Sequence, residues 1–201
     1  MTVYQVKLQT LSPVHIGDGN ELRQGFDFMV RGNATYRLDE DAILQAKASQ
    51  VRPDASGHYP LPGNLLTEAD YEKDGFFRYI LRGSARSAKM DARVKSFIKD
   101  VYDRPYIPGS SLKGALRTAL AWHGWKEVNI KLDRSMIGNS RSWAGQRIER
   151  KIFGPDPNHD LLRALHVADL FGPQEAGGGL MIVNAQVLTK RTAQSPIELE
   201  T

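Results

Sequence analysis

An extended segment that turns directly into a helix is the feature that most limits how this chain can fold. Residues 104–107 are extended in character, residues 108–111 form a Pro-Gly-Ser-Ser turn, and apolar side chains then recur at helical spacing. Ser110 is a good N-cap and Gly124 stands where a helix would stop, which predicts a helix between them. The apolar residues expected to form its buried stripe are Leu112, Ala115, Leu116, Ala119 and Leu120.

Alternation of apolar and polar side chains predicts strands on both sides of this unit, because a strand with one buried face has a period of two. The predicted strands are residues 3–11, 26–31, 35–38, 165–170 and 180–188. The second and third of these flank Gly32-Asn33, which predicts a hairpin. A further alternating stretch at 195–201 is typical of the start of a strand. It would leave an unpaired edge, so we expect more chain to follow or another chain to supply it.

Two further helical stretches frame a loop-rich insertion. Acidic residues at 39–41 suit the positive end of a helix dipole and predict a helix that ends near Ser49. Residues 51–75 contain three prolines and three glycines, which predicts a surface insertion. Residues 76–99 are expected to form one or two helices, since their basic side chains recur at spacings that gather them on one broad face. This mixture of strands and helices predicts an α+β fold.

Charge is distributed unevenly along the chain. Residues 78–151 contain 17 basic and 6 acidic side chains, a net charge of +11. Residues 1–77 and 152–201 have net charges of −4 and −3, so the whole chain reaches only +4. A basic block between acidic flanks favours a polyanionic partner, although a solvated helical surface would have the same composition.

Composition and spacing exclude several classes of site. The sequence has no Cys, and its five histidines lack the HxxH and HExxH spacings, so neither a metal nor another cofactor is predicted. The motifs GxxxxGK[ST] and GxSxG are absent, which disfavours nucleotide hydrolysis and serine hydrolase chemistry. The first residues do not form a signal peptide, and no apolar run reaches the ~20 residues that cross a membrane. We therefore expect a cytoplasmic protein with no membrane partner.

The start of the predicted helix has the chemistry of an anion site. Gly109 permits a close backbone approach, and the N–H groups of a first helical turn point at whatever lies there. Ser110 and Ser111 add hydroxyl donors, while Lys113 and Arg117, four residues apart, share a helix face. These five residues are predicted to contact a phosphate backbone. The alternative is a well-capped helix whose Lys and Arg face water.

A second candidate is His15, which stands before a glycine-containing loop that begins at Gly17, and both residues are predicted to contact the polyanion. It is a candidate general base or base-stacking residue, and the alternative is a histidine hydrogen-bonded to backbone in the core. Trp143 lies in a loop-rich basic stretch and could stack on a base or pack over the core. The basic residues of this stretch predicted to add contacts to the polyanion are Arg134, Arg141 and Arg147.

These motifs together resemble the RAMP superfamily of type III CRISPR–Cas systems. The resembling pieces are residues 11–17 (LSPVHIG), residues 107–117 (IPGSSLKGALR), Phe153-Gly154 and residues 165–169 (LHVAD). Their order and spacing span essentially the whole chain. The long insertion before residue 107 is similar to that of the subunit at the 3′ end of the guide RNA in type III-A (Csm) complexes.

The resemblance implies a ferredoxin-like, RRM-related core with helical insertions. Residues 1–201 would form one such domain with an insertion at 40–105, and a second, C-terminal half of the family would be missing. It also implies a non-catalytic subunit that binds CRISPR RNA and the backbone RAMP proteins, caps their stack at the 3′ end of the CRISPR RNA and aids its maturation or stability. Two alternatives stay open: a metal-independent RNA-processing ribonuclease that uses His15 as base, and a scaffold that binds only protein neighbours.

Overall fold

The computed structural model describes residues 2–85, 92–131, 133, 140, 144–186 and 197–201. The chain packs into two compact units, residues 1–106 with 171–201 and residues 107–170. The helices are α1 (Glu40–Ala46), α2 (Gly109–Glu127) and α3 (Gln146–Phe153). The strands are β1 (Gly17–Arg23), β2 (Phe28–Arg31), β3 (Ala34–Leu38), β4 (Phe77–Arg82), β5 (Arg93–Phe97), β6 (Tyr106–Ile107), β7 (Leu170–Phe171), β8 (Ile182–Ala185) and β9 (Ile197–Glu200). The α+β class is confirmed, whereas the ferredoxin-like arrangement and the insertion bounds 40–105 stay predictions.

The first unit contains a four-stranded sheet in the order β1-β5-β9-β8. Strand β5 runs antiparallel to β1 and parallel to β9, and β9 runs antiparallel to β8. The strand predicted at 195–201 is therefore confirmed from Ile197, but its expected unpaired edge is wrong, because β9 has a hydrogen-bonded neighbour on each side. Strand β5 comes from the first half of the chain, so local alternation could not indicate this pairing.

A second sheet, β2-β3-β4, contains the hairpin predicted around Gly32-Asn33. Strand β2 pairs antiparallel with β3 along its whole length, and Gly32 has a φ of 59°, a value that glycine adopts without strain. The chain then enters α1, where the Asp39 carboxylate accepts a hydrogen bond of 3.0 Å from the Ala42 N–H. The hairpin and the acidic helix start are thus confirmed.

The helices predicted for residues 76–99 are wrong, because the described part of this stretch contains strands β4 and β5 and no helix. In β4, Tyr79 and Leu81 are buried, while Arg78 and Arg82 are exposed. Basic residues four apart fit a helix of period 3.6, but an even spacing also keeps them on one face of a strand. The apolar side chains that alternate with the basic ones are buried in the core, and this alternate burial is that of a strand.

The main apolar cluster of the first unit draws on both of its large sheets. It includes Leu22 of β1, Phe28 of β2, Leu81 of β4, Val94 of β5 and Ile182 of β8, none more than 8% exposed. Burying an aliphatic or aromatic side chain of this size contributes roughly 1.5–3 kcal/mol. Strands from both ends of the chain therefore depend on one core.

Residues 3–11 alternate as a strand would, but they form none in the structure. Val3, Tyr4 and Val6 are largely exposed, and β1 starts only at Gly17. An extended segment becomes a strand only where a neighbour accepts its backbone hydrogen bonds. Among the described residues no strand pairs with this segment, so its predicted strand is wrong.

Helix α2 differs from its predicted form at both ends. It starts at Gly109 with Pro108 as its N-cap residue, so the predicted cap at Ser110 is wrong. It also continues past Gly124, where a stop was predicted. A Cβ on Gly124 would lie 2.9 Å from Ile152 Cγ2 of α3. The glycine therefore lets α2 and α3 pack closely and does not end the helix.

Two further predictions for the second unit are wrong. Leu116 and Leu120 are each 45% exposed, so the predicted stripe of α2 is not buried there. Of the strand predicted at 165–170, only the last residue, Leu170, lies in a strand. It belongs to the short strand β7, which pairs with β6. Residues 165–169 lie against the start of α2 and bond to its groups, so they do not join a ladder.

A buried carboxylate ties down the 51–75 insertion. Asp70 is 1% exposed and accepts hydrogen bonds from Lys47 Nζ (2.7 Å), Thr67 Oγ1 (2.7 Å) and the Thr67 N–H (2.9 Å). Thr67 and Asp70 also form a capping box at the start of a short 3-10 helix, Glu68–Glu72. Because Lys47 directly follows α1, this cluster links the insertion to that helix.

We expect acid to loosen this insertion. The hydrogen bond from Lys47, followed by those from Thr67, holds the pKa of Asp70 well below its usual range. A carboxyl with a depressed folded pKa contributes stability above its unfolded pKa of about 3.9, and this stability is lost as the pH falls below that value. The thermal midpoint of the wild-type chain should therefore fall in acid, whereas Asp70→Asn should start lower at neutral pH and change less. Asp74→Asn, at an exposed position nearby, is the control; matching profiles for Asp70→Asn and wild type would contradict the expectation.

Candidate functional site

The start of α2 is held by a carboxylate of the same chain. The Gly109 N–H donates to Asp169 Oδ1 at 2.8 Å, and a Cβ on Gly109 would lie 2.1 Å from the Val167 carbonyl oxygen. Glycine therefore allows the backbone of residues 165–169 to pass directly over the helix start. The close approach expected at Gly109 exists, but the anion at this helix N-terminus is the protein's own Asp169.

Ser110 and Ser111 lie on the exposed side of the first turn of α2. The Ser111 N–H donates to the Pro108 carbonyl oxygen at 2.9 Å, which closes that turn. No side chain caps the helix, so neither hydroxyl is used as a cap. Both residues stay predicted RNA contacts.

Arg117, also predicted to contact phosphate, is the centre of an ion-pair network inside the second unit. Its guanidinium lies 2.7 Å from Asp160 Oδ2 and 3.1 Å from Glu149 Oε2, and it stacks over the Phe153 ring at 4.2 Å. Burial alone would lower the pKa of Arg117, but the hydrogen bonds to the two carboxylates outweigh it and raise that pKa. With two carboxylates around one cation, Arg117 positions α3 and the following loop against α2.

A cleft of about 490 Å³ opens between α2, α3 and the loop of residues 154–163. Lys113, Arg150 and Arg163 line it from three separate elements. Arg150 and Arg163 are exposed, and half-buried Lys113 donates to the Leu165 carbonyl oxygen at 2.9 Å. An ammonium has three donors, so this bond leaves two for a ligand.

The carboxylates of the cleft are already paired within the protein. Glu149 and Asp160 bind Arg117, and Asp156 lies 2.8 Å from His159 Nδ1. The hydrogen bond from His159 lowers the pKa of Asp156 below its usual range. The four cations of the cleft, counting Arg117, exceed its three carboxylates by one charge. The side chains left to face a ligand are therefore the basic ones.

Arg150 and Arg163 were not among the residues predicted from sequence. Arg150 contributes to the basic block 78–151, but Arg163 lies outside it, and nothing local links either residue to Lys113. Among the other predicted contacts, Arg147 is exposed on α3. The remaining predicted residues, Arg134, Arg141 and Trp143, lie outside the described residues.

His15 lies in the first unit and is bonded to backbone. Its Nδ1 lies 2.7 Å from the Glu200 carbonyl oxygen and donates to it, since a carbonyl can only accept. A Cβ on Gly17 would lie 3.0 Å from His15 Nε2, so Gly17 leaves room for the imidazole, which meets the Phe97 ring edge-on. This geometry matches the histidine hydrogen-bonded to backbone, which was the alternative to a general base or base-stacking residue.

The Glu200 side chain is the centre of a buried polar cluster that was not predicted. It is 1% exposed and accepts hydrogen bonds from Lys99 Nζ (2.5 Å), the Phe97 N–H (2.8 Å) and the Tyr79 hydroxyl (3.1 Å). Burial, together with the Glu200 charge, raises the pKa of Tyr79 above its usual value. The alternation of residues 197–201 gives no sign of this burial, because only the sheet order shows that β9 lies between β5 and β8.

Two classes of site are missing from the part of the chain that the structure describes. No group of three or more His, Asp or Glu side chains there is arranged to hold a metal ion. No helix there is long and apolar enough to cross a membrane.

Known proteins resemble this chain in sequence. A family model described as the RAMP superfamily matches residues 7–185. The CRISPR system protein Csm5 of Streptococcus thermophilus is 29% identical over 149 residues, which cover 63% of this chain and 41% of that protein. Csm5 of Methanocaldococcus jannaschii is 24% identical over 180 residues, which cover 82% of this chain and 42% of that protein. The chain thus spans about two fifths of the length of these curated relatives.

Solved structures resemble it in fold. Csm5 of T. onnurineus superposes with a TM-score of 0.63 at 26% identity, over 94% of this chain and 62% of that one. A chain of a Csm–crRNA–target RNA ternary complex from a type III-A CRISPR–Cas system gives a TM-score of 0.63 at 23% identity, over 94% of this chain and 58% of that one. At this lower identity the second match shows the fold alone.

Proposed function

Because this chain belongs to the RAMP superfamily, we propose that it is a CRISPR RNA-binding, non-catalytic subunit of a type III-A (Csm) effector complex. The observation that carries the proposal is the likeness to Csm5 in both sequence and fold. The same likeness supports CRISPR RNA and the other Csm subunits as its partners, in a cytoplasmic complex.

We further propose that the chain caps the stack of backbone RAMP subunits at the 3′ end of the CRISPR RNA. The long insertion before the 107–117 motif supports this position, because an insertion there is part of the resemblance to the subunit at that end. A protein that covers the RNA end there would aid maturation or stability of the guide without cutting it.

The cations of the second-unit cleft support RNA binding. Lys113, Arg150 and Arg163 face one space, and each can contact a phosphate without reading a base. The exposed Ser110 and Ser111 hydroxyls lie one turn before Lys113 on α2 and can add donors to the same backbone. In this proposal Arg117 positions α3 and the following loop against α2, since its charge is already paired with two carboxylates.

The geometry of His15 argues against the ribonuclease alternative. A general base needs a nitrogen that can reach the proton of the attacking hydroxyl. His15 Nδ1 donates to the Glu200 carbonyl oxygen and the ring packs edge-on against Phe97, which are the contacts of a structural histidine. The proposal therefore assigns no catalytic residue.

Isolation from the host tests the proposed complex. The tagged protein, purified in moderate salt, is expected to carry spacer-containing RNA with uniform 5′ ends together with other Csm subunits. Subunits that stay bound after ribonuclease treatment, with no RNA recovered, would favour the scaffold alternative. Recovery of neither RNA nor subunits would overturn the proposal.

We expect removal of the cleft cations to reduce the salt dependence of RNA binding. Each phosphate contact on single-stranded RNA releases about 0.7 counterions, so a Lys113→Gln/Arg150→Gln/Arg163→Gln variant should have a log–log salt slope shallower by about 2. The affinity loss should be equal for unrelated RNA sequences. Fluorescence anisotropy of labelled RNA measures both. Arg52→Gln, at an exposed position in the 51–75 insertion, is the control, and an unchanged slope in the triple variant would remove the cleft from the RNA interface.

A further inference from the structure

The second half of α2 presents a tryptophan to solvent. Trp122 is 63% exposed, although a Trp side chain is among the largest apolar groups that a protein can bury. Its ring stacks with that of Trp125, with the ring centroids 5.9 Å apart and the planes 13° apart. The two side chains are three residues apart on the helix and so share a face. The outward ring is thus supported by a second, half-buried ring.

The elements under this pair are fixed by backbone bonds and packing. The Ile130 N–H donates to the Trp125 carbonyl oxygen at 3.2 Å, which folds the chain back over the end of α2. Gly124, beside Trp125, lies against Ile152 of α3. The ring pair therefore lies on a helix that packs against α3 at this point. A ligand can bind the rings without first ordering a loop.

A cation lies beside the exposed ring. Lys126 Nζ is 5.8 Å from the centroid of the Trp122 ring, and a further exposed lysine, Lys131, follows the turn that closes α2. Both lysines belong to the 78–151 block, whose net charge is +11. A flat aromatic face beside positive side chains fits the bases and phosphates of an unpaired nucleic-acid strand at once. A purely apolar partner would leave the lysines without a counterion.

We propose that Trp122, supported by Trp125 and flanked by Lys126, is a stacking site for an unpaired base of single-stranded RNA. We call these three residues the Trp122 shelf. The proposal rests on the RNA-binding function proposed above and adds a second kind of contact to it: the cleft binds phosphates, whereas the shelf binds the face of a base. Since every base has a π-face, the shelf selects single-stranded over double-stranded RNA and does not select sequence.

An RNA that keeps its phosphates but lacks its bases separates the two contacts. We expect Trp122→Ala to bind a single-stranded RNA about 5- to 100-fold more weakly than wild type, with the same salt slope. On an abasic oligonucleotide of equal length, wild type and Trp122→Ala should bind equally. Leu120→Ala, which shortens another exposed apolar side chain of α2, is the matched control and should behave as wild type on both. Photo-crosslinking of 5-bromouridine RNA to the wild-type chain, mapped by mass spectrometry, should give an adduct at Trp122 and needs no variant to fold.

Each failure has a separate meaning. A wild-type chain that binds neither oligonucleotide would overturn the proposed function together with the shelf. Normal RNA binding that Trp122→Ala leaves unchanged, with no adduct at Trp122, would overturn the shelf alone. A Trp122→Ala protein that keeps its RNA but loses other Csm subunits would also overturn it and assign this face to a protein neighbour.

Discussion

Gly109→Ala is expected to destabilise the second unit strongly, whereas Gly114→Ala, five residues along the same helix, is expected to be neutral or stabilising. A Cβ at residue 109 would lie 2.1 Å from the Val167 carbonyl oxygen and 2.9 Å from the Ala168 carbonyl carbon. Both neighbours are backbone atoms, so neither can rotate away as the end of a side chain could. Either the start of α2 or residues 165–169 must move.

The expected cost has two parts. Forcing an extra carbon into a packed site costs about 1–3 kcal/mol. The movement also breaks the hydrogen bond from the Gly109 N–H to Asp169, and a bond to a charged acceptor contributes about 1.5–3 kcal/mol. Together they are a large fraction of the roughly 5–15 kcal/mol that keeps a typical domain folded.

Gly114 supplies the matched control. A Cβ there would meet no atom within 4 Å, and the residue lies inside α2 on exposed surface. Alanine is preferred to glycine in a helix interior by about 1 kcal/mol, so the change should raise stability slightly. Urea unfolding followed by circular dichroism measures both variants. Equal midpoints for Gly109→Ala and Gly114→Ala would show that the backbone of residues 165–169 does not pass over the helix start.

Glu200→Leu is expected to have the other large effect, on the first unit. The substitution leaves the Lys99 ammonium, whose side chain is only 8% exposed, without its partner, and it removes the acceptor of the Phe97 N–H and the Tyr79 hydroxyl. Removing one member of a buried ion pair costs about 3–5 kcal/mol, because the remaining charge stays desolvated. Strand β9 lies inside the four-stranded sheet, so its loss would separate β8 from β5.

A double variant tests whether the cost comes from the stranded charge. Lys99→Met/Glu200→Leu removes both charges and is expected to be more stable than Glu200→Leu alone, since an apolar pair of similar volume avoids the desolvation penalty. Glu21→Gln is the control, because its 3.2 Å ion pair with Arg93 is exposed and such pairs contribute at most about 1 kcal/mol. Free energies of unfolding from urea titrations measure all three. A double variant as unstable as Glu200→Leu would place the cost in the lost Phe97 and Tyr79 bonds.

The correct sequence predictions depend on short stretches of chain. The Gly32-Asn33 hairpin, the Asp39 cap and the passage from residue 107 into a helix each depend on neighbours within a few residues, and turn chemistry and helix periodicity report on these directly. The RAMP motifs are local in the same way, so the sequence alone carries the resemblance to that family.

The incorrect predictions arose where two structures satisfy one local pattern. Two basic residues four apart, Arg78 and Arg82, fit a helix face and a strand face equally well. The burial of the apolar residues between them, Tyr79 and Leu81, decided for a strand. Residues 3–11 have a strand's alternation, but without a paired neighbour among the described residues their backbone forms no ladder. Alternation reports which face is apolar and says nothing about whether a partner strand exists.

Local patterns in the chain were enough to identify the α+β class, the basic block, the RAMP motifs and Lys113 of the candidate site. What each of these residues contacts follows from the packing of distant segments. Arg117 meets Glu149 and Asp160, which are 32 and 43 positions away, and His15 meets the Glu200 carbonyl oxygen 185 positions away. A side chain that could bind a ligand can instead be neutralised or oriented by a distant part of its own chain. Contacts of this kind depend on how the elements pack and leave no periodic trace in the residues on either side.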